Sequence, residues 1–188
     1  ASQCAITQPC NRKTMTSDIH HYDNGRPLNH SESIKRQLER DAAKHFLRLF
    51  EQMSKTPMRN IWHNEPAKPD ISCHLDGKPL DLEIAHLYAN KSEAKEVSNR
   101  EFIQSLSDLE EMDSQESLST ALGRLLNSKA QKQYDSARVW LIIRNASPRW
   151  QADDFKRCLA HFKMPENPFE QVWLLPEFDG SQPPIQIF

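Results

Sequence analysis

Apolar and polar residues alternate along this chain with two different periods, and the changes of period mark its elements. From Ser31 to Lys55 the side chains Ile34, Leu38, Ala42, Phe46, Leu49, Phe50 and Met53 recur at three- and four-residue steps. That spacing gathers them on one stripe of a helix. Ser31 or Ser33 can cap its start through a side-chain oxygen. Glu39 falls at the border of the stripe, where a solvated glutamate is the ordinary expectation. Met58 to Asn64 has the length and character of a short strand, and the two prolines of EPAKP follow it.

Between Pro69 and Tyr88 the period is two. Asp76-Gly77 favours a two-residue type I′ turn. Such a turn sets Leu75 opposite Lys78, Ser72 opposite Asp81 and Asp70 opposite Glu83. Alternation then puts Ile71, Cys73, Leu75, Leu80, Leu82 and Ile84 on one face, and Asp70, Asp81, Glu83 and Ala85 on the other. Carboxylates facing each other across a strand pair destabilise it. Solvent, a cationic side chain, a raised pKa or a metal has to offset that repulsion. A freely wetted face is the least demanding solution.

The segment 91–135 has the pattern of one or two helices. The later one carries Leu118, Leu122, Leu125 and Leu126, with Asp113 or Ser114 near its start. Helical steps extend its stripe to Lys129 and then to Lys132 or Gln133. A lysine on a buried stripe either snorkels out at the helix end or points at carboxylates. Tyr134 closes the element. Within 137–145, Val139 to Ile143 form a continuous apolar run that suits a central strand buried on both faces. Trp150, Phe155, Leu159 and Phe162 mark a short helix, 169–180 a further strand, and SQPPIQIF an edge. The order predicts an α/β fold with a mixed β-sheet of about five strands flanked by helices. There is no internal repeat, P-loop or GxGxxG.

Length and composition narrow the picture further. The 188 residues suit a single domain over 31–188, preceded by an extension, 1–30, that is expected to be disordered. ASQCAITQPCNRKT has no period, and Met15 is a candidate native start. Asp18, His20, His21 and Asp23 could bind a metal, but without a rigid frame they read as a polar tail. Hydrophobic residues make up 37% and charged residues 27%, polar for a globular chain but not disordered in character. The net charge of −2 gives no sign of a strongly basic nucleic-acid binder and does not exclude one, because local patches matter more than the sum. No apolar run of about 18 residues predicts a membrane span, and no secretory pattern opens the chain. The 4 cysteines show no CxxC or zinc-ribbon spacing. A cytoplasmic protein is the expectation.

The order of elements, with Pro69-Asp70 and Asp81-Leu82-Glu83-Ile84-Ala85 on the hairpin, resembles the PD-(D/E)XK nuclease superfamily with its restriction-endonuclease-like core. The resemblance covers roughly residues 31–178. It implies a nuclease dependent on Mg²⁺ or Mn²⁺, acting on nucleic acid and most readily DNA, as in restriction, repair or anti-phage defence. It implies Asp70, Glu83, Asp81 and the Ile84 carbonyl as metal ligands, with Glu39 acting through a metal-bound water. A homodimer is common in that family. The chain departs from the family where Ala85 replaces the lysine of the strict motif. Either the frame shifts so that Glu83 fills the third position, or the cation comes from the next helix, with Lys129 preferred and Lys132 second.

On this reading Asp70, Glu83, Lys129 and Glu39 form the catalytic set. Lys132, Gln133 and Arg144 are the nucleic-acid contacts. Arg138, Arg149, Lys156 and Arg157 could touch phosphate or be an ordinary solvated surface. His86 alternates to the face opposite Glu83 and reads as a packing histidine. A degenerate relative that binds nucleic acid or a protein without cleavage is the second function class. Carboxylates that are only surface are the third.

Overall fold

The long three- and four-residue pattern folds as α1 (His30–Ser54), which lays Ala42, Ala43, Phe46, Leu47 and Phe50 on a sheet. In the computed structural model, the described residues are 22–23, 26–27, 30–64, 69–90, 93, 117–177 and 181–188. Strands β1 (Tyr22–Asp23) and β2 (Arg26–Pro27) pair with each other as a separate antiparallel ladder. The rest of the expected N-terminal extension, including Asp18, His20 and His21, lies outside the described residues. So do Asp113, Ser114 and most of the first helix expected after the hairpin.

The main sheet has six strands in the order β3 (Met58–His63), β4 (Ile71–Leu75), β5 (Lys78–Leu87), β6 (Val139–Asn145), β7 (Gln171–Leu175) and β8 (Ile185–Gln186). The first three run antiparallel, β5, β6 and β7 are parallel, and β8 returns antiparallel at the far edge. The fold is therefore α/β with a mixed sheet, as the pattern implied, and the C-terminal tail supplies a sixth strand beyond the expected five. The hairpin turn uses Asp76 at φ 50° and Gly77 at φ 75°, the two left-handed residues that a type I′ turn requires. Its register is the expected one, with Leu75 opposite Lys78, Ser72 opposite Asp81 and Ile71 opposite Leu82.

That register separates two cores. Ile71, Cys73, Leu80, Leu82 and Ile84 join α1, Trp140 and Trp173 on one face. Phe50 meets Trp140 and Trp173 edge-on at 5.4 Å between ring centroids, each pair adding roughly 1 kcal/mol beyond burial. On the other face Ala85, Leu87, Leu141 and Ile143 pack under α2 (Leu118–Ala130) and α3 (Ala152–Leu159). Helix α2 begins at Ser117, whose hydroxyl accepts from the Thr120 N–H, later than Asp113 or Ser114 suggested. The crossover from β5 to the parallel β6 carries α2 over the face that holds Glu83. The helix end covers Glu83, which is buried, while Asp70 and Asp81 are half-buried. Among the described residues no helix is long and apolar enough to cross a membrane.

Candidate active site

Glu83 stands in the middle of β5, opposite Leu141 of β6, and is 4% exposed. A buried carboxylate demands partners, and the last turn of α2 provides them. The Lys129 ammonium lies 2.6 Å from Glu83 Oε1 and donates also to the Ile84 carbonyl at 3.3 Å. Lys132, just past the helix end, reaches the same Oε1 at 3.2 Å. The Tyr134 hydroxyl donates to the Lys129 carbonyl at 3.2 Å, which ties down the turn bearing both lysines. Burial, then the charges of Glu83 and Asp70, hold the Tyr134 proton far above the usual phenol range. It therefore stays a neutral donor beside Glu83.

Asp70 precedes the last rung of the β4–β5 ladder and turns inward. Its Oδ2 accepts the Ile84 N–H at 2.8 Å. The backbone around it is fixed by Asn64, whose N–H donates to the Asp70 carbonyl at 2.9 Å and whose amide donates to the Pro69 carbonyl at 2.8 Å. Burial, reinforced by Glu83 and Glu39, pushes the Asp70 carboxyl up to about 6, and the Ile84 N–H and Lys129 offset only part of that rise.

Glu39 approaches from α1 and is also 4% exposed. It lies within the buried stripe, one turn before Ala42 and Ala43, not at a solvated border. His63 Nε2 sits 3.3 Å from its Oε2, and Lys35 3.5 Å from its Oε1. Burial alone would raise the Glu39 pKa, but His63 and Lys35 outweigh it and hold it low. The hydrogen bond to Glu39 raises the pKa of His63 in turn.

Asp81 lies two residues from Glu83 on the same face, and its carboxylate accepts the Ser72 hydroxyl. Ser72 accepts from the Asn64 amide at 2.7 Å. His86 is on the α1 face, as alternation requires; burial pushes its pKa down to about 4, and among the described residues neither ring nitrogen has a hydrogen-bond partner.

The residues expected to touch nucleic acid are dispersed. Lys132 is at Glu83, Gln133 is exposed beyond α2, and Arg144 is opposite His86 on β6. Arg138 binds Glu170 at 2.7 Å, Lys156 binds Asp153 at 2.9 Å, Arg157 pairs with Asp154, and Arg149 is 3.6 Å from Glu93. Those four have local carboxylate partners. Nothing in the spacing warned of His63 or Asn64: their roles depend on the β3–β4 register and on the approach of α1, which no short motif encodes.

Asp70, Glu83 and the Ile84 carbonyl are hard oxygen donors. They match the small protein share of ligands that Mg²⁺ accepts while keeping water. One Asp81 oxygen accepts from Ser72 and the Ile84 carbonyl accepts from Lys129, and among the described residues no group of three or more His, Cys, Asp or Glu is set to hold a metal. The oxygens that could serve a divalent ion are those of Asp70 and Glu83 and the Ile84 carbonyl. In comparisons with known proteins, no family model, no curated protein and no solved structure matches the chain.

Proposed function

We propose that this chain is a divalent-metal-dependent nuclease with a restriction-endonuclease-like core, hydrolysing phosphodiester bonds of nucleic acid, most readily DNA. The observation that carries the reading is Lys129. Its ammonium sits 2.6 Å from Glu83 and 3.3 Å from the Ile84 carbonyl, beside a carboxyl, Asp70, whose pKa is raised to about 6. A helix thereby provides the cation that Ala85 cannot.

A Mg²⁺ or Mn²⁺ ion held by Asp70, Glu83 and the Ile84 carbonyl would polarise a phosphoryl oxygen and acidify the attacking water. The protein's own groups do the rest. The Ile84 N–H aims the Asp70 carboxylate. Lys129 orients Glu83 and would put a positive charge near the phosphoryl oxygens on which negative charge builds. Glu39, held ionised by His63 and Lys35, adds negative charge felt by Asp70, which favours a cation beside that carboxylate.

A second reading is favoured by one observation: both Lys129 and Lys132 lie on the same Glu83 oxygen. Two ammonium groups can neutralise the site without a metal, as in a degenerate member that binds without cleaving. Calorimetric titration of Mg²⁺ and Mn²⁺ into the protein and into Glu83→Gln, with a DNA cleavage assay on the same samples, separates the two. Metal binding and cleavage that both vanish in the variant support the nuclease. Binding of DNA with neither metal uptake nor cleavage supports the degenerate form.

A further inference from the structure

Strand β3 is an edge strand, and it does not alternate regularly. Arg59 faces His74 and Trp62 faces Ser72, so three residues of β3 span two of β4. The extra residue is accommodated at Asn60, whose φ of 52° lies in the left-handed region that asparagine tolerates better than most residues. A bulge of this kind re-aims the side chain that follows it. Without it, Trp62 and Arg59 would point to opposite faces. With it, Trp62 shares a face with Ser72, and through the hairpin register with Asp81 and Glu83.

Trp62 is 47% exposed, so much of its indole is open to solvent. The His74 imidazole supports it, with ring centroids 5.9 Å apart, and the Asn60 amide lies 3.5 Å from His74 Nδ1. From Trp62 to Glu83 is two strands across and two residues along, about 12 Å by sheet geometry. Lys132, with its side chain 54% exposed, stands on the Glu83 side of that interval. The face thus carries an aromatic plane at one end and an exposed ammonium beside the carboxylates at the other.

We propose that Trp62, backed by His74, is a base-stacking platform for a single-stranded nucleic-acid substrate whose backbone crosses Asp70 and Glu83. The proposal rests on the nuclease reading and names its substrate class. A single strand is the occupant that fits, because an aromatic plane can stack only on an unpaired base. Stacking supplies affinity that does not depend on charge, which matters for a chain whose net charge is −2. Pairing with a second copy through this edge is opposed by the bulge, which breaks the straight row of backbone groups that edge-to-edge pairing needs.

The test is titration of oligothymidylate, and of a blunt duplex, into the full chain and into Trp62→Ala and Trp62→Phe. Ca²⁺ replaces Mg²⁺, affinity is read from the anisotropy of a labelled oligonucleotide, and tryptophan quenching is followed alongside. Trp140 and Trp173 are buried and Trp150 is half-buried, so the quenching lost between the parent and Trp62→Phe is the part that comes from Trp62. The expected result is quenching by the single strand, affinity about tenfold or more weaker in Trp62→Ala, and most of the affinity retained in Trp62→Phe. Unchanged affinity in Trp62→Ala overturns the platform; if that variant still cleaves, the nuclease reading survives. Tighter binding of the duplex than of the single strand also overturns it. A concentration-dependent dimer that dissociates in Trp62→Ala, with no change in oligonucleotide binding, reassigns the face to self-association. No binding together with no cleavage defeats both proposals.

Discussion

Two glutamates of this protein are almost equally buried, Glu83 on β5 and Glu93 just beyond it, at 4% and 7% exposure. They are nevertheless different objects. Glu93 accepts the Ala89 N–H at 2.7 Å and the Ser147 hydroxyl at 3.2 Å, with Arg149 at 3.6 Å. It joins the loop after β5 to the loop after β6, where the Ala146 N–H also bonds the Leu87 carbonyl at 2.9 Å. Its donors are spread over both oxygens. Glu83, by contrast, draws two ammonium groups onto one oxygen and has Asp70 close enough to raise that carboxyl to about 6. Burial alone therefore does not mark a site. An excess of like charge around a buried carboxylate does, because folding gains nothing from it and something else has to account for it.

The largest test of that contrast is Lys129→Met set against Arg149→Met. Removing Lys129 leaves Glu83 buried with only the half-exposed Lys132 as cation, and Asp70 with less compensation. Breaking such a pair costs about 3 kcal/mol or more. Arg149 is only one of several partners of Glu93 and at the longest distance, so its loss should cost about 1 kcal/mol or less. Urea unfolding of both variants at neutral pH measures the difference. Equal losses would show that the two glutamates are equivalent structural ties.

Asp70→Asn should act in the opposite direction. A carboxyl whose pKa is raised from 3.8 to about 6 in the folded state binds its proton more tightly there than in the unfolded chain. Below pH 3.8 both states are protonated and the shift has no effect on stability. Between 3.8 and about 6 the folded state progressively loses that advantage, and above 6 the full penalty applies, about 3 kcal/mol. Asparagine keeps an oxygen for the Ile84 N–H and removes the charge. The variant is expected to be more stable than the parent by up to about 3 kcal/mol at pH 7, with no gain at pH 3.5. His63 slopes the same way: its pKa is raised, so the Glu39 contact stabilises fully below 6.5 and fades as pH climbs through the higher folded value. Between pH 5 and pH 8 Asp70 and His63 therefore lower Tm, while His86, its pKa pushed down to about 4, raises it as pH climbs towards 6.5, so the difference between the parent and Asp70→Asn isolates the Asp70 part. Divalent ions should raise Tm more at pH 8 than at pH 5.

Much of this region was legible from spacing. Asp76-Gly77 set the hairpin register, and the register alone placed Ile71, Cys73, Leu80 and Leu82 in one core and Glu83 on the other face. The misplaced lysine at the end of a leucine stripe pointed to Lys129, because a helix one turn too apolar for its charge carries the charge inward. Glu39 was harder. Whether a residue bordering a stripe is wet depends on the curvature of the sheet beneath α1 and on His63, which arrives from another strand. The bulge at Asn60 was invisible, since alternation along MRNIWH has no break in its letters. Local periods reveal faces; they do not reveal where one strand slips past another.

A smaller effect than that of Lys129→Met, and the sharpest control, belongs to Glu93→Gln. Glutamine retains one carbonyl oxygen, which can keep the Ala89 N–H, but its NH₂ then faces the Ser147 hydroxyl. That hydroxyl can rotate from donor to acceptor, so the hydrogen bond survives in reversed sense. What is lost is the charge opposite Arg149, together with some geometry, a cost of about 1–2 kcal/mol. The variant should melt slightly earlier, while its affinity for Mn²⁺ remains that of the parent. Glu83→Gln should do the converse: it removes the charge that Lys129 and Lys132 answer, relieves Asp70, and abolishes metal uptake while costing little stability. If Glu93→Gln instead weakened metal binding as much as Glu83→Gln, affinity would be tracking the order of the whole β5–β6 end. The two carboxylates and the carbonyl would then be no more of a site than the tie beside them.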